Sequence, residues 1–306
     1  MYTTTMDRTI EYIITKEFHN RTIADFLAAQ NFCHQTIVYL KQTPNGIMQN
    51  GTWVHVTGIL REHDVLRLHW VEPHQASSVV PVCMDLDILY EDEDILLINK
   101  ASDTPIHPSM GNYHNTLANG VMAYYESKGC DFTFRCINRL DRDTTGLTII
   151  AKNCQSAGIL SRRVASREVH RTYLAICEGQ TNEKGTILAP ICRKDDSTIE
   201  RCVNFEKGES AITHYTRLSY NENLHLSLVR LQLETGRTHQ IRVHMKHLGH
   251  PLIGDFLYNP NMNHMKRQAL HSYSLDFLHP VTNESCHFIA PLPEDMRRLF
   301  PSVEVS

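Results

Sequence analysis

An aspartate flanked by two arginines stands shortly before an apolar run in this chain of 306 residues. Asp141 lies between Arg139 and Arg142, and Gly146 leads into Leu-Thr-Ile-Ile-Ala, which is typical of a buried strand. Catalytic groups are often found on such loops. The arginines favour the ionised carboxylate, which is the form that a nucleophile or a base requires. A local ion pair that closes a turn would explain the same residues.

A second polar segment, from Thr235 to Pro251, has the pattern of a short helix. Thr238 can cap its start and Gly249 can follow its end. Its buried face would consist of Ile241, Met245 and Leu248. Arg242 lies beside that face, so its guanidinium can turn inward, where it needs a carboxylate that matches its forked donors. Asp141 is the partner that we expect for Arg242.

The histidines of this segment do not have the ligand spacing of a zinc site. His244 and His247 are three residues apart, and no cysteine or carboxylate near them completes a set with His239. The chain also lacks a phosphate-binding loop, a G-x-G-x-x-G motif after a strand and a G-x-S-x-G turn. We therefore expect no metal site, and neither nucleotide-driven chemistry nor serine hydrolysis.

Composition indicates a globular protein. No apolar run is long enough for a membrane span, and the N-terminus lacks an apolar signal segment. Nine cysteines are scattered without a C-x-x-C pair, which favours reduced thiols. We expect a cytoplasmic monomer that contacts no membrane. The net charge of -4 does not by itself indicate a nucleic-acid partner, but arginines and lysines cluster locally.

The first 70 residues have the pattern of a small α+β domain. Thr22 and Asp25 can cap one helix, a second helix is expected from 35 to 41, and Asn50-Gly51 fits the turn of a hairpin. This pattern resembles the S-four-like RNA-binding module, which is named for a ribosomal protein. A small appendage without RNA contact would fit equally. We expect a linker from 71 to 84 and a catalytic domain from 85 to 306.

The expected catalytic domain contains many strands and few helices. Strands are predicted at 88–90, 95–99, 171–176 and 224–233. A helix with Leu117 and Tyr125 on one face ends before Gly129, and Asn153 caps another. Because helices and strands do not alternate, we predict an α+β fold in which helices flank a mixed, mainly antiparallel sheet.

Taken together, these segments resemble the RluA-type pseudouridine synthases from about residue 85 to 295. The resemblance rests on Ile98-Asn99-Lys100, Arg139-Leu140-Asp141 with Thr144-Thr145-Gly146, Tyr173-Leu174-Ala175, Thr235 to His244, Gly249 to Asp255, and Leu270-His271. The chain departs from the family at four positions, which are Asn138 for His, Arg171 for Lys, Thr145 for Ser and Ala101 for Pro. Asn138 and Arg171 could alter substrate preference.

The resemblance implies an enzyme that isomerises uridines in structured RNA, either rRNA or tRNA, to pseudouridine. Asp141 would be the essential carboxylate, as nucleophile or as base, and Arg242 would keep it ionised. Tyr173 would pack against a flipped-out uracil, and Arg139 would fill the space that the base leaves. Further RNA contacts are expected from Arg163, Arg171, Arg237, His239, Gln240 and Lys246.

Two other functions fit parts of this pattern. An RNA chaperone could keep the same fold without turnover. A glycoside hydrolase could use Asp141 and Asp143, although such enzymes need two carboxyl groups that face each other across the bond. Two residues so close together on one loop are poorly placed for that arrangement.

Overall fold

The computed structural model describes residues 6–73 and 77–303. The chain forms two compact units that are both built from separate segments. The first unit comprises Met1–Leu97, His107–Ile137 and Ile149–Val164, and the second comprises Ile98–Ile106, Asn138–Thr148 and Ala165–Ser306. Residues 1–97 group together, so the contacts do not separate residues 1–70 from those that follow. The expected division at 70 and 85 therefore stays a prediction.

The first unit begins with a four-stranded antiparallel sheet and two helices. The strands are β1 (Asp7–Ile13), β2 (Ile47–Gln49), β3 (Thr52–Trp53) and β4 (Val65–Val71), in the order β1-β4-β2-β3. The helices are α1 (Ile23–Ala29) and α2 (His34–Gln42). The capping box of Thr22 and Asp25 is confirmed, and Asn50 and Gly51 both have positive φ in the β2–β3 turn.

The same unit continues with β5 (Ile88–Glu91), the start of β6 (Ile95–Lys100), α3 (Leu117–Ser127), the end of β7 (Thr145–Ala151) and α4 (Cys154–Ala165). Asn153 caps α4 as expected, because its Oδ1 accepts a hydrogen bond from Ser156 N at 2.8 Å. Two described residues of the expected linker form hydrogen bonds with elements of this unit. Asn119 of α3 donates to Val80 O at 2.7 Å, and Glu72 accepts a hydrogen bond from Cys154 N at 2.6 Å.

The second unit is dominated by long strands. They are β8 (His170–Glu178), β9 (Lys184–Leu188), β12 (Ile212–Asn221), β13 (Leu226–Leu233), β14 (Leu270–Leu278) and β15 (Ser285–Ile289). Their order is β14-β8-β13-β12-β9 with all pairs antiparallel, β15 pairs with β14, and β7 pairs with β14 in parallel. The expected α+β fold with a mainly antiparallel sheet is confirmed.

A small hairpin and two helices also belong to the second unit. β10 (Ile191–Arg193) and β11 (Arg201–Val203) form a separate antiparallel hairpin, and the helices are α5 (Gln240–His247) and α6 (Glu294–Arg297). The inner face of α5 packs on the sheet, where Ile241 and Met245 join a core cluster with Tyr173 and Val229. Sequence analysis predicted α5 but no strand at β9–β12, β14 or β15.

The start of α5 differs from the prediction. Thr238 is not its cap, because His239 occupies that position with φ of 57° and Gln240 is the first helical residue. None of the helices in the described ranges has the length and apolar character needed to cross a lipid bilayer.

Candidate active site

The centre of the site is a buried arginine that binds two carboxylates. Arg242 Nη1 donates to Asp141 Oδ2 at 2.8 Å, and Arg242 Nε and Nη2 donate to the two oxygens of Asp255, both at 2.7 Å. The Arg242 side chain is 3% exposed and Asp255 is fully buried, whereas Asp141 is 26% exposed. Asp141 is therefore the carboxylate of the pair that a substrate can reach.

Arg242 remains cationic in this environment. Burial by itself lowers the pKa of its guanidinium, but the hydrogen bonds of Asp255 and the charge of Asp141 outweigh burial and raise the pKa above its ordinary value. The guanidinium carbon also lies 5.0 Å from the centre of the Tyr258 ring. The expected Arg242–Asp141 contact is present. Asp255 was not nominated from the sequence, although it belongs to the quoted motif from Gly249 to Asp255.

The arginines next to Asp141 in sequence have other surroundings. Arg142 forms its ion pairs with Asp143 at 3.3 Å and Asp103 at 3.5 Å, and Arg139 is exposed. The cation in contact with Asp141 is Arg242, from a distant segment. The expectation that both neighbouring arginines support the ionised form of Asp141 stays a prediction.

Two buried cations anchor the loop that carries Asp141. Lys100 Nζ donates to Arg142 O at 2.8 Å and to two further carbonyls, Ala101 O at 2.7 Å and Thr104 O at 3.0 Å. Arg267 Nη1 donates to Asp143 O at 3.3 Å, while Arg267 Nε and Nη2 bind the carboxylate of Asp295, both at 2.8 Å. The backbone carbonyls of the two residues that follow Asp141 are thus held from two directions.

Lys100 was quoted in the sequence motif but not assigned a role. It is 1% exposed. Burial lowers the pKa of its amine to about 7, and the charges of Asp143 and Asp141 oppose this decrease. Its three hydrogen bonds use all three protons of an ammonium group. A cationic Lys100 is therefore the form that completes the anchor.

Gly146 lets the loop enter β7 next to β14. Its φ is 107°, and a Cβ atom at this position would lie 2.2 Å from Ser272 O. Asn138, one of the departures from the family pattern, is buried and donates to Leu147 O at 2.9 Å. Its expected influence on substrate preference stays a prediction.

Tyr173 lies on β8 in the core of the second unit. It is 5% exposed, it packs in a cluster with Leu140, and its register partner on β14 is Ser272. Burial raises the pKa of the Tyr173 hydroxyl, so the neutral phenol is the form at neutral pH. Asp141 lies close enough to raise this pKa further. The expected role of Tyr173 at the target base stays a prediction.

His239 lies beside the reactive carboxylate. Its Nε2 is 3.9 Å from Asp141 Oδ2, and its Nδ1 is 2.9 Å from the Tyr258 hydroxyl. Burial lowers the pKa of this imidazole. His239 therefore belongs to the surroundings of Asp141. His244, by contrast, is fully buried and its ring nitrogens lie 2.8 Å from Thr213 Oγ1 and 2.8 Å from Ala189 O.

Gln240 does not fit the expected RNA contact. It is 3% exposed, and its amide oxygen accepts hydrogen bonds from Arg237 N at 3.0 Å and from Thr235 Oγ1 at 2.8 Å. Its amide nitrogen donates to Ile212 O and to Thr213 Oγ1. The side chain is fully used in holding the start of α5 against β12. In the free protein Gln240 thus positions the helix, and its expected RNA contact stays a prediction.

The other expected RNA-binding residues are distributed over both units. Arg163 lies on α4 in the first unit, and Lys246 is exposed on α5 with its Nζ 5.5 Å from the Tyr258 ring centre. Arg171 is half-buried, and its guanidinium lies beneath Gly236. Arg237 forms an ion pair with Glu209 and donates from Nε to Ser210 O at 3.2 Å. Their contacts with RNA stay predictions.

Comparisons with known proteins agree on one family. The family model described as RNA pseudouridylate synthase matches residues 94–247. The uncharacterized RNA pseudouridine synthase YjbO of Bacillus subtilis is 39% identical over 279 residues, which cover 91% of this chain and 98% of that protein. The ribosomal large subunit pseudouridine synthase D of Escherichia coli K12 is 38% identical over 242 residues, covering 74% of this chain and 73% of that protein.

A solved structure shows the same similarity. The human RNA pseudouridylate synthase domain containing 1 protein is 28% identical and has a TM-score of 0.58. The similarity covers 71% of this chain and 86% of the human one.

Proposed function

This chain belongs to the RNA pseudouridylate synthase family and is an enzyme that isomerises uridine in RNA to pseudouridine. We propose that Asp141 is the carboxylate on which this reaction depends. The observation that carries this proposal is the 2.8 Å contact between Asp141 and the buried Arg242. It joins a partly exposed carboxylate to a cation that is itself fixed by Asp255. Such an arrangement suits a carboxylate that must be ionised and correctly oriented.

The reaction moves the base without loss of atoms. The bond between N1 of the uracil and C1′ of the ribose breaks, a bond between C5 and C1′ forms, the C5 proton leaves and N1 gains a proton. Asp141 either attacks as a nucleophile or removes a proton from the sugar, and both roles require the ionised form. Because nothing is oxidised and no group is donated, we propose that the enzyme uses no cofactor.

Tyr173 and Arg139 are proposed to handle the target nucleotide. A uracil inside a helix must be flipped out before it reaches a carboxylate at the surface of the core. The neutral, buried ring of Tyr173 offers a flat surface against the base, and its hydroxyl can donate a proton. The exposed Arg139 is two residues from Asp141 and could occupy the space that the base vacates.

We propose rRNA as the substrate. Several relatives, including those of Escherichia coli and Xanthomonas campestris, are named ribosomal large subunit pseudouridine synthase D. The alternative of a tRNA substrate has no comparable support. Residues 1–70 are proposed to form an RNA-binding module that precedes the catalytic domain of residues 85–306, and the protein is proposed to act as a cytoplasmic monomer.

The test is to map pseudouridine in rRNA and tRNA from a strain with the gene and a strain without it. Purified protein is then incubated with each RNA from the deletion strain. Wild type should restore the missing positions in rRNA. Asp141→Asn should restore none, whereas Asp143→Asn, a matched change on the same loop, should restore them.

Three results would contradict the proposal. Equal maps for wild type and Asp141→Asn would exclude the catalytic role of Asp141. RNA binding without isomerisation of any substrate would favour an RNA chaperone. Release of free uracil would favour hydrolysis.

A further inference from the structure

A cavity in the second unit has three arginines among its eight lining residues. Its volume is about 340 Å³, within the range of roughly 300–1,000 Å³ that is typical of ligand pockets. Its charged lining consists of Arg193, Arg201, Arg237 and Glu209, which we call the arginine pocket. Three guanidinium groups against one carboxylate make this an anion-binding lining. Of these four residues, only Arg237 was expected from the sequence to contact RNA.

Two of these arginines stand directly opposite each other. Arg193 and Arg201 are register partners across the β10–β11 hairpin. Like charges at such positions destabilise an antiparallel pair. Among the described residues neither arginine forms an ion pair, and the guanidinium of Arg201 reaches only the backbone carbonyls of Ile199 and Glu200, at 3.3 and 3.4 Å. An anion between the two arginines would remove this repulsion.

The β10–β11 hairpin packs against α5. Ile191 of β10 packs in a small core cluster with Val243 of α5 and Tyr258. Arg201 N also donates a hydrogen bond to the Tyr258 hydroxyl at 2.8 Å. The hairpin that carries Arg193 and Arg201 is therefore held by packing and by a backbone hydrogen bond.

A short series of contacts connects this pocket with Asp141. The Tyr258 hydroxyl that binds Arg201 N also lies 2.9 Å from His239 Nδ1, and His239 Nε2 lies 3.9 Å from Asp141. Only Tyr258 and His239 therefore stand between Arg201 of the pocket and the reactive carboxylate in this series of contacts. A polynucleotide with one nucleotide at Asp141 would bring an adjacent phosphate towards the pocket.

We propose that the arginine pocket binds a backbone phosphate of the substrate RNA close to the target uridine. This inference rests on the proposed function, because it takes RNA as the substrate and Asp141 as the reaction centre. The paired N–H donors of a guanidinium group match phosphate oxygens in geometry. Such contacts set the register of a nucleic acid without reading its sequence. Glu209, which pairs with Arg237 in the free protein, competes with the phosphate for that guanidinium.

The experiment measures binding of a fluorescein-labelled 20-nucleotide oligouridylate RNA at several salt concentrations. We expect Arg193→Gln and Arg201→Gln each to weaken binding about tenfold at low salt. The slope of log K against log salt should fall by about 0.7 for each phosphate of the single strand that the variant no longer binds. Glu209→Gln should strengthen binding, because it frees Arg237. Arg297→Gln removes the same charge from exposed α6 and should change neither quantity.

The Arg193→Gln and Arg201→Gln variants should remain folded, because each change relieves repulsion between like charges. Thermal unfolding checks this directly. Unchanged affinity and slope in both Arg193→Gln and Arg201→Gln would overturn the inference, even if Asp141→Asn proved inactive. Conversely, activity of Asp141→Asn would refute the proposed reaction centre, and the binding results for the arginine variants would still stand.

A final arm separates an RNA phosphate from a small free anion. Uridine monophosphate is titrated into wild type and into Arg193→Gln. We expect no saturable binding of the mononucleotide at concentrations below a millimolar. Tight binding that disappears in Arg193→Gln, together with unchanged RNA affinity, would assign the pocket to a free nucleotide and overturn the proposal.

Discussion

Arg242 and Asp141 are 101 residues apart in sequence, and their side chains lie 2.8 Å apart in the structure. The guanidinium reaches Asp141 with Nη1 only, because its other donors are held by Asp255. Because Arg242 shares its donors between the two carboxylates, Asp141 contacts one fixed cation and stays 26% exposed to solvent. Orientation of the reactive carboxylate thus depends on a second carboxylate that no substrate can reach.

The first prediction concerns Asp255→Asn. Loss of this charge leaves Arg242 buried with a single anionic partner, so we expect the free energy of unfolding to fall by about 3 kcal/mol. Because Arg242 is no longer fixed, kcat should fall at least tenfold while the RNA dissociation constant stays unchanged. Urea unfolding and single-turnover kinetics measure both effects at a temperature where the variant is folded.

Asp276→Asn provides the matched control for this change. Asp276 is a half-exposed carboxylate that pairs with His287 on the surface. Its replacement should alter stability by no more than about 0.5 kcal/mol and leave kcat unchanged. If Asp255→Asn had the same small effects, Asp255 would have no role in positioning Arg242.

The second prediction uses the titration of Lys100. Its folded pKa of about 7 lies below the ordinary 10.5, so between these values the unfolded chain binds more protons than the folded one. Stability of the wild type should therefore rise with pH in this window, relative to Lys100→Met, by at most about 1.4 kcal/mol per pH unit. Urea unfolding of both proteins from pH 6 to 9 measures the difference, and a difference independent of pH would contradict it.

The third prediction separates the ring of Tyr173 from its hydroxyl. Tyr173→Phe keeps the packing in the core, so stability and RNA affinity should be retained. If the hydroxyl takes part in proton transfer, kcat falls about 100-fold. Tyr215→Phe is the matched control, because Tyr215 is equally buried in the same cluster. A Tyr173→Phe enzyme with the kcat of wild type would limit the role of Tyr173 to packing.

The fourth prediction concerns the exposed Arg139. If this side chain fills the space left by a flipped base, Arg139→Ala should slow the reaction on a stem-loop RNA about tenfold or more and have little effect on an unstructured strand, which leaves no such gap. Thermal stability should not change. Both rates are measured with the same uridine in the two contexts. An equal loss on both RNAs would indicate a general phosphate contact.

Local patterns determined much of the secondary structure. Thr22 with Asp25 and the Asn50-Gly51 turn were correct because each depends on hydrogen bonds or dihedral angles within a few residues. The hydrogen bonds of Gln240 could not be predicted, for the opposite reason. Its amide is satisfied by Thr213 and Ile212 on another element, and the sequence around Gln240 carries no trace of that contact.

The sequence by itself determined the fold class, the family and the prominence of Asp141, Tyr173 and Arg242, because motif order and strand periodicity are properties of the chain. Only the tertiary structure decided which groups surround Asp141. Asp255, Lys100 and Arg267 act through contacts between distant segments, and the opposed Arg193 and Arg201 depend on the register of a hairpin that the sequence did not reveal. Ionic contacts depend on distance in space, and folding sets that distance independently of separation along the chain.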